Sequence, residues 1–240
     1  MNPRLLLSAL LLPLLASCQT PVPQAPATAI DTSMPELRAE YQALAKAGPV
    51  YAVDAAASKV RIYVFRAGAA AKLGHNHVLS APKFDGYVTV PSAQATDAKF
   101  ELRVPLSELA VDDSLARREA GDSFSGERSA DDIDGTRRNM LDDRGFQADR
   151  FPLVRLRSLS IEGDWPILVA QVEITLHGVT RTQPLMLKVQ RDAAQLQVDG
   201  TLILRQSDFG VTPFSAMGGL MKVQDVVAIS FRLVAKPATF

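Results

Sequence analysis

Cysteine is almost missing from this chain: Cys18 stands alone among 240 residues. No disulfide can form within it, so a folded domain here must be stabilised by its core. An excess of one charge is missing too, since 26 Lys+Arg meet 26 Asp+Glu. No basic stripe is interleaved with aromatics, so nucleic acid is not expected as a partner. Long hydrophobic runs are absent except for LLLSALLLPLL (Leu5 to Leu15), which is too short to span a bilayer. Histidine is nearly as scarce, with three in the chain. Two of them, His75 and His77, share the stretch AKLGHNHVLS, and the third is His177 in TLHGVT.

What is there begins with an export pattern. Arg4 supplies a positive start, the apolar run follows, and LASC (Leu15 to Cys18) closes it. That ending resembles the lipobox of bacterial lipoproteins, in which the Cys is the cleavage point and carries the lipid. Residues 1–17 are therefore expected to be a lipoprotein signal peptide and Cys18 a membrane anchor facing the periplasm. Gln19 in place of Asp favours the outer membrane. A Pro-, Ala- and Thr-rich tether is expected over 18–33. A helix over 34–48 follows, with Ser33 and Glu36 as its capping pair and Pro35 in the first turn. Gly48 and Pro49 end it, and Leu37, Tyr41 and Leu44 share the face that packs.

Over 49–240 the signal changes to period-two alternation. Val60, Ile62 and Val64 oppose Arg61, Tyr63 and Phe65; Phe100, Leu102 and Val104 oppose Lys99, Glu101 and Arg103. Leu168, Ala170, Val172, Ile174 and Leu176 form one face of another strand. Leu196, Val198, Leu202 and Leu204 continue the pattern, then Val223, Asp225, Val227, Ile229, Phe231 and Leu233, with Asp225 the one charge on that last face. Half-apolar strands joined by short turns predict an all-β, antiparallel lipocalin-like barrel of about eight strands, closed so that no edge is exposed. A flat sandwich would satisfy the same alternation. The charge-dense segment from Val111 to Pro152 is expected to form short helical turns and loops across one end or side of the barrel. Asp131, Asp132, Asp142 and Asp143 read as a solvated surface paired with Arg137 and Arg138.

Catalytic and calcium signatures fail within that segment. GDSFSG has Ser125 where a G-x-S-x-G elbow needs its second glycine, and no Asp/His order supports Ser123 as a nucleophile. In ADDIDG, aligning Gly135 on the invariant glycine of an EF-hand puts Ala130 and Leu141 at the terminal ligand positions, where neither can coordinate.

YAVD, KVRIYVFRAG and PKFDGYV resemble the opening strands of the YceI-like family, and GFQADRFPLVRLRS resembles a later segment of it. VEITLHGVTRTQPLMLKV, RQSDFGV and DVVAISFRL are similar to its central turn, its R-x-D-F-G piece and its closing strand, in the family's order over most of 51–235. The resemblance implies an exported, lipocalin-like barrel that holds a long isoprenoid chain, such as a quinone or polyprenyl lipid, with no established catalytic residues and no cofactor. The family's opening histidines are displaced here. Ala56-Ala57-Ser58 and Phe65-Arg66 stand in their places, and the histidines appear in LGHNHVLS.

The expected ligand-binding residues are Val60, Ile62, Val64, Phe100, Leu102, Ile174, Leu202, Ile229 and Phe231, with His75 and His77 holding a polar head group at the mouth. In an extended segment residues i and i+2 point the same way, so the two imidazoles stand together. No metal is assigned, because a third ligand is missing from the spacing. The alternatives are a metal-dependent carrier or oxidoreductase built on His75, His77 and a carboxylate from the Asp-rich segment, and a solid-cored interaction scaffold.

Overall fold

The computed structural model describes residues 36–192 and 194–240. Cys18, the leader, the tether, Ser33 and Pro35 lie outside them. Helix α1 covers Leu37–Leu44, with Glu36 at its N-cap making no side-chain capping bond. Leu37 and Tyr41 are buried against Val50, and Leu44 packs beside them with Tyr87.

The strands are β1 (Val50–Val53), β2 (Lys59–Ala67), β3 (His77–Ser80), β4 (Asp85–Thr89), β5 (Lys99–Pro105) and β6 (Ala110–Val111). After two helices, α2 (Ser114–Glu119) and α3 (Ala130–Leu141), come β7 (Leu153–Asp164), β8 (Ile167–Leu176), β9 (Val179–Arg191), β10 (Leu196–Arg205), the short β11 (Ser215–Ala216) and β12 (Met221–Pro237). Strand β12 closes the sheet. It pairs with β10 on one edge; on the other it pairs with β2, Ile229 opposite Ile62, and with β1, Ala235 opposite Val53. Strands β3 and β4 then lie on β2 and β1, and β6 and β5 lie on those. Counting β1–β2, β3–β4 and β5–β6 as three interrupted staves, the result is a closed, eight-stranded antiparallel barrel.

The alternation explains the closure. Every second residue is apolar and turns inward, so a flat sheet would leave that whole face wet. Inward residues of β8 and β9, such as Leu168, Val172, Ile174, Leu185 and Leu187, are fully buried. The inward residues of β2, β5 and β12, namely Val60, Ile62, Val64, Phe100, Leu102, Ile229 and Phe231, are only half-buried. They pack on the buried clusters with one side and border the lumen with the other, a lumen that Leu168, Ile174, Leu185 and Leu187 also line. Gly200 of β10 sits opposite Phe231, and a Cβ there would lie 2.4 Å from the ring, so only glycine lets the ring lie across the strand.

The charge-dense segment divides between the wall and the mouth. Asp113 caps α2, accepting from the amides of Leu115 and Ala116. Ala116 and Phe124 cover the outer face of β2 and β3 at Tyr63, Phe65 and Val78. Ser129 caps α3 through the amide of Asp132, and Gly135 sits inside that helix, not in a loop. Ile133, Met140 and Leu141 of α3 pack on the cluster around Leu106 and Leu109. The expected pairing of Arg137 with the neighbouring acids is corrected. Its guanidinium donates to the backbone carbonyls of Leu109 and Ser107 and so pins α3 to the barrel, while Asp142 pairs with Arg144. A guanidinium that reaches two free carbonyls does better there than beside solvated carboxylates.

Candidate functional site

An apolar cavity of about 670 Å³ runs along the barrel axis. At the base it is lined by Val90, Ala98, Trp165 and Leu196, and at the other end by Gln206, Thr212, Pro213 and Phe214, with Thr136, Asn139 and Met140 of α3 across it. Val90, Ala98 and Leu196 at the base are buried, whereas Phe214 at the other end, the mouth, is 42% exposed. The volume falls within the ~300–1,000 Å³ range of small-molecule pockets.

Val60, Ile62, Val64, Phe100, Leu102, Ile174, Leu202, Ile229 and Phe231 all line this space, and so does His77. His75 is not among the lining residues; it lies half-buried behind His77. Asp225 is likewise absent from the wall. The β2–β12 register shifts between Val223 and Val227, which takes Asp225 off the apolar face, and its carboxylate accepts from the Ser207 amide and hydroxyl.

The two histidines are presented together, with ring centroids 4.6 Å apart in an edge-to-face arrangement. Register decides this. His77 is opposite Val64, one of the lumen-facing residues of β2, so its ring turns inward. Asn76 between them turns the other way, its amide oxygen accepting from the Arg66 backbone N–H and its amide nitrogen donating to the Ser123 carbonyl. His77 Nδ1 is 2.6 Å from Asp112 Oδ2, and the other oxygen of that carboxylate accepts from the Val78 amide at 3.0 Å and from Arg117 at 2.5 Å. The Asp112 side chain is 1% exposed and that of Arg117 4%. Arg117 also donates to the carbonyls of Asn76, Ser125 and Gly126. Burial acts to raise the Asp112 pKa, but the hydrogen bonds from His77, Val78 and Arg117 outweigh it and hold it below the usual carboxylate value. Burial lowers the His75 pKa, and the nearby His77 and Arg128 lower it further. His75 Nε2 is buried without a hydrogen-bond partner.

His177 also lines the cavity. It and Gly178 form the two-residue turn between β8 and β9 with φ of 52° and 73°, as a tight hairpin requires. Its Nδ1 lies 3.1 Å from the Phe209 carbonyl and its ring packs edge-on against Phe151 at 5.0 Å. Asp112 and Arg117 were not singled out from the sequence. The signal lay in VDDSLARR, where an acid and an arginine five apart sit in a segment otherwise readable as solvated surface.

The family model described as the YceI-like domain matches residues 51–235. Among solved structures, the chain is similar to BcnA of Burkholderia cenocepacia, at 19% identity and a TM-score of 0.56, covering 78% of this chain and 99% of that one. It is also similar to a polyisoprenoid binding domain from Saccharophagus degradans, implicated in plant cell wall breakdown, at 15% identity and a TM-score of 0.51, covering 78% and 98%. A search of the curated proteins gives no match.

Proposed function

Because the chain belongs to the YceI-like family, we propose that it is a non-catalytic binder of a long-chain isoprenoid lipid or quinone, which it carries or stores inside the barrel. One observation carries the reading: a continuous apolar cavity of about 670 Å³ inside the barrel, with buried apolar residues at its base and the exposed Phe214 at its mouth. Its walls offer no charge until the mouth, which suits a methyl-branched hydrocarbon chain entering tail first. At about 0.8 kcal/mol for each buried methylene, a chain of roughly fifteen to twenty carbons passes 10 kcal/mol before the cost of ordering it. The Saccharophagus degradans neighbour, a polyisoprenoid binding domain, supports the ligand class.

His77, on the lumen wall below the mouth, is the polar group that meets the head of the ligand, with His75 behind it. Lipidated Cys18 tethers the barrel to the membrane that supplies its ligand, at the periplasmic face of the cell envelope. Protein purified without an affinity tag, extracted with organic solvent and analysed by mass spectrometry tests the reading. A prenyl lipid near one per chain is the expected result. An empty barrel from a lipid-replete envelope overturns it.

A further inference from the structure

We propose that His75, His77 and Asp112 form a binding site for a divalent transition-metal ion, of the class zinc represents, in the wall of the barrel. The proposal goes beyond lipid binding and does not depend on it. Among the described residues these three form the group whose ligand atoms, one from each side chain, lie within 4.8 Å of one another. Bonds of about 2.0–2.2 Å to imidazole nitrogen and carboxylate oxygen need donor atoms a little closer than that, within reach of a side-chain adjustment. Two imidazoles and one carboxylate form a donor set that suits zinc and ferrous iron and leaves coordination positions open.

Three features point to an ion and not to a bland polar patch. First, His75 Nε2 is buried and bonds to nothing, a costly state that a ligated ion would relieve. Second, the two oxygens of Asp112 are divided. One is fixed by the Val78 amide and Arg117, while the other meets only His77 Nδ1. An ion can replace the proton shared by that pair, keeping the Val78 and Arg117 bonds as the outer sphere that orients the carboxylate. Third, Asp112 is held at φ 54°, a left-handed conformation unusual outside glycine, which places its carboxylate beneath His77. Arg117 already offsets part of the charge of Asp112, which weakens the hold of the carboxylate on an ion. Because His77 lines the lumen, an ion there borders the cavity.

The test uses chelator-treated full-length protein titrated with Zn²⁺ by calorimetry and with Co²⁺ by visible absorption. One ion per chain is expected, with Co²⁺ giving ligand-field bands. His75→Ala should weaken binding by about tenfold or more, the loss that even an outer-sphere partner commands. His75 makes no hydrogen bond through Nε2, so that variant keeps its fold, and the answer survives even where His77→Ala unfolds. No saturable site, or unchanged affinity in His75→Ala, overturns the proposal. Lipid extracted from the same samples separates the two readings: metal loss without lipid loss leaves the lipid proposal standing, and the reverse leaves this one.

Discussion

Asp112 has three donors on two oxygens inside a wall that is otherwise apolar, and Arg117 is buried with it. Removing one member strands the other charge. Arg117→Met should therefore cost about 3–5 kcal/mol, read as a lower urea midpoint. An effect below about 1 kcal/mol would mean that the network is surface-like. Glu101 forms a second buried cluster on the outer face, with Arg155 at 2.7 Å and Arg103 at 2.8 Å. Burial acts to raise its pKa, and the hydrogen bonds and charges of Arg155 and Arg103 overcome that, leaving it below the ordinary 4.5. A folded-state pKa below the unfolded one stabilises the protein above the ordinary value, and the gain is lost as pH falls through the folded value. Glu101→Gln should thus be less stable than the parent by about 2–4 kcal/mol near neutrality, with the gap narrowing below pH 4.5. Thermal melts of both proteins across that acid range check it. A gap that widens on acidification contradicts the assignment.

At the scale of elements, α3 matters most, because it lies across the mouth. Its residues Thr136, Asn139 and Met140 line the cavity, and Arg137 holds it to the carbonyls of Ser107 and Leu109. Arg137→Met should loosen the helix without unfolding the barrel. Faster amide exchange confined to 130–141, with a raised off-rate for bound lipid, is the expected readout; exchange unchanged there would remove α3 from any gating role. The strands themselves were readable in advance, since alternation over β2, β5, β8, β10 and β12 specifies both the element and its inward face. The end of the β2–β12 pairing was not. A bulge inserts at Asp225 without a sequence mark, because the side chain it displaces is as polar as any edge residue. The pairing of Arg137 was missed for a related reason: its partners are the backbone carbonyls of Leu109 and Ser107, 28 and 30 positions earlier, and no side-chain pattern advertises a carbonyl.

The whole molecule is a hollow barrel with a base and a mouth, and its hollowness can be tested through stability. In a close-packed interior, a small-to-large substitution costs ~1–3 kcal/mol. Ile229 faces the lumen and is half-buried, so Ile229→Trp should fit with less than about 1 kcal/mol lost while lipid co-purification falls to background. Large destabilisation with lipid retained would indicate that Ile229 belongs to a filled core.

The sequence by itself determined the period-two faces, the absence of disulfide support, the family and the pairing of His75 with His77 on one side of an extended segment. Each of these is a local property, fixed by spacing along the chain. Closure of the sheet, the size of the lumen, the placement of His77 in its wall with His75 behind, and the meeting of His77 with Asp112 and Arg117 were decided only by the tertiary structure. His77 and Asp112 stand 35 positions apart, and they meet because β6 pairs with β3 and carries Asp112 under the histidine. A chain's alternation says which side chains turn inward, but the register between distant strands decides which of them meet.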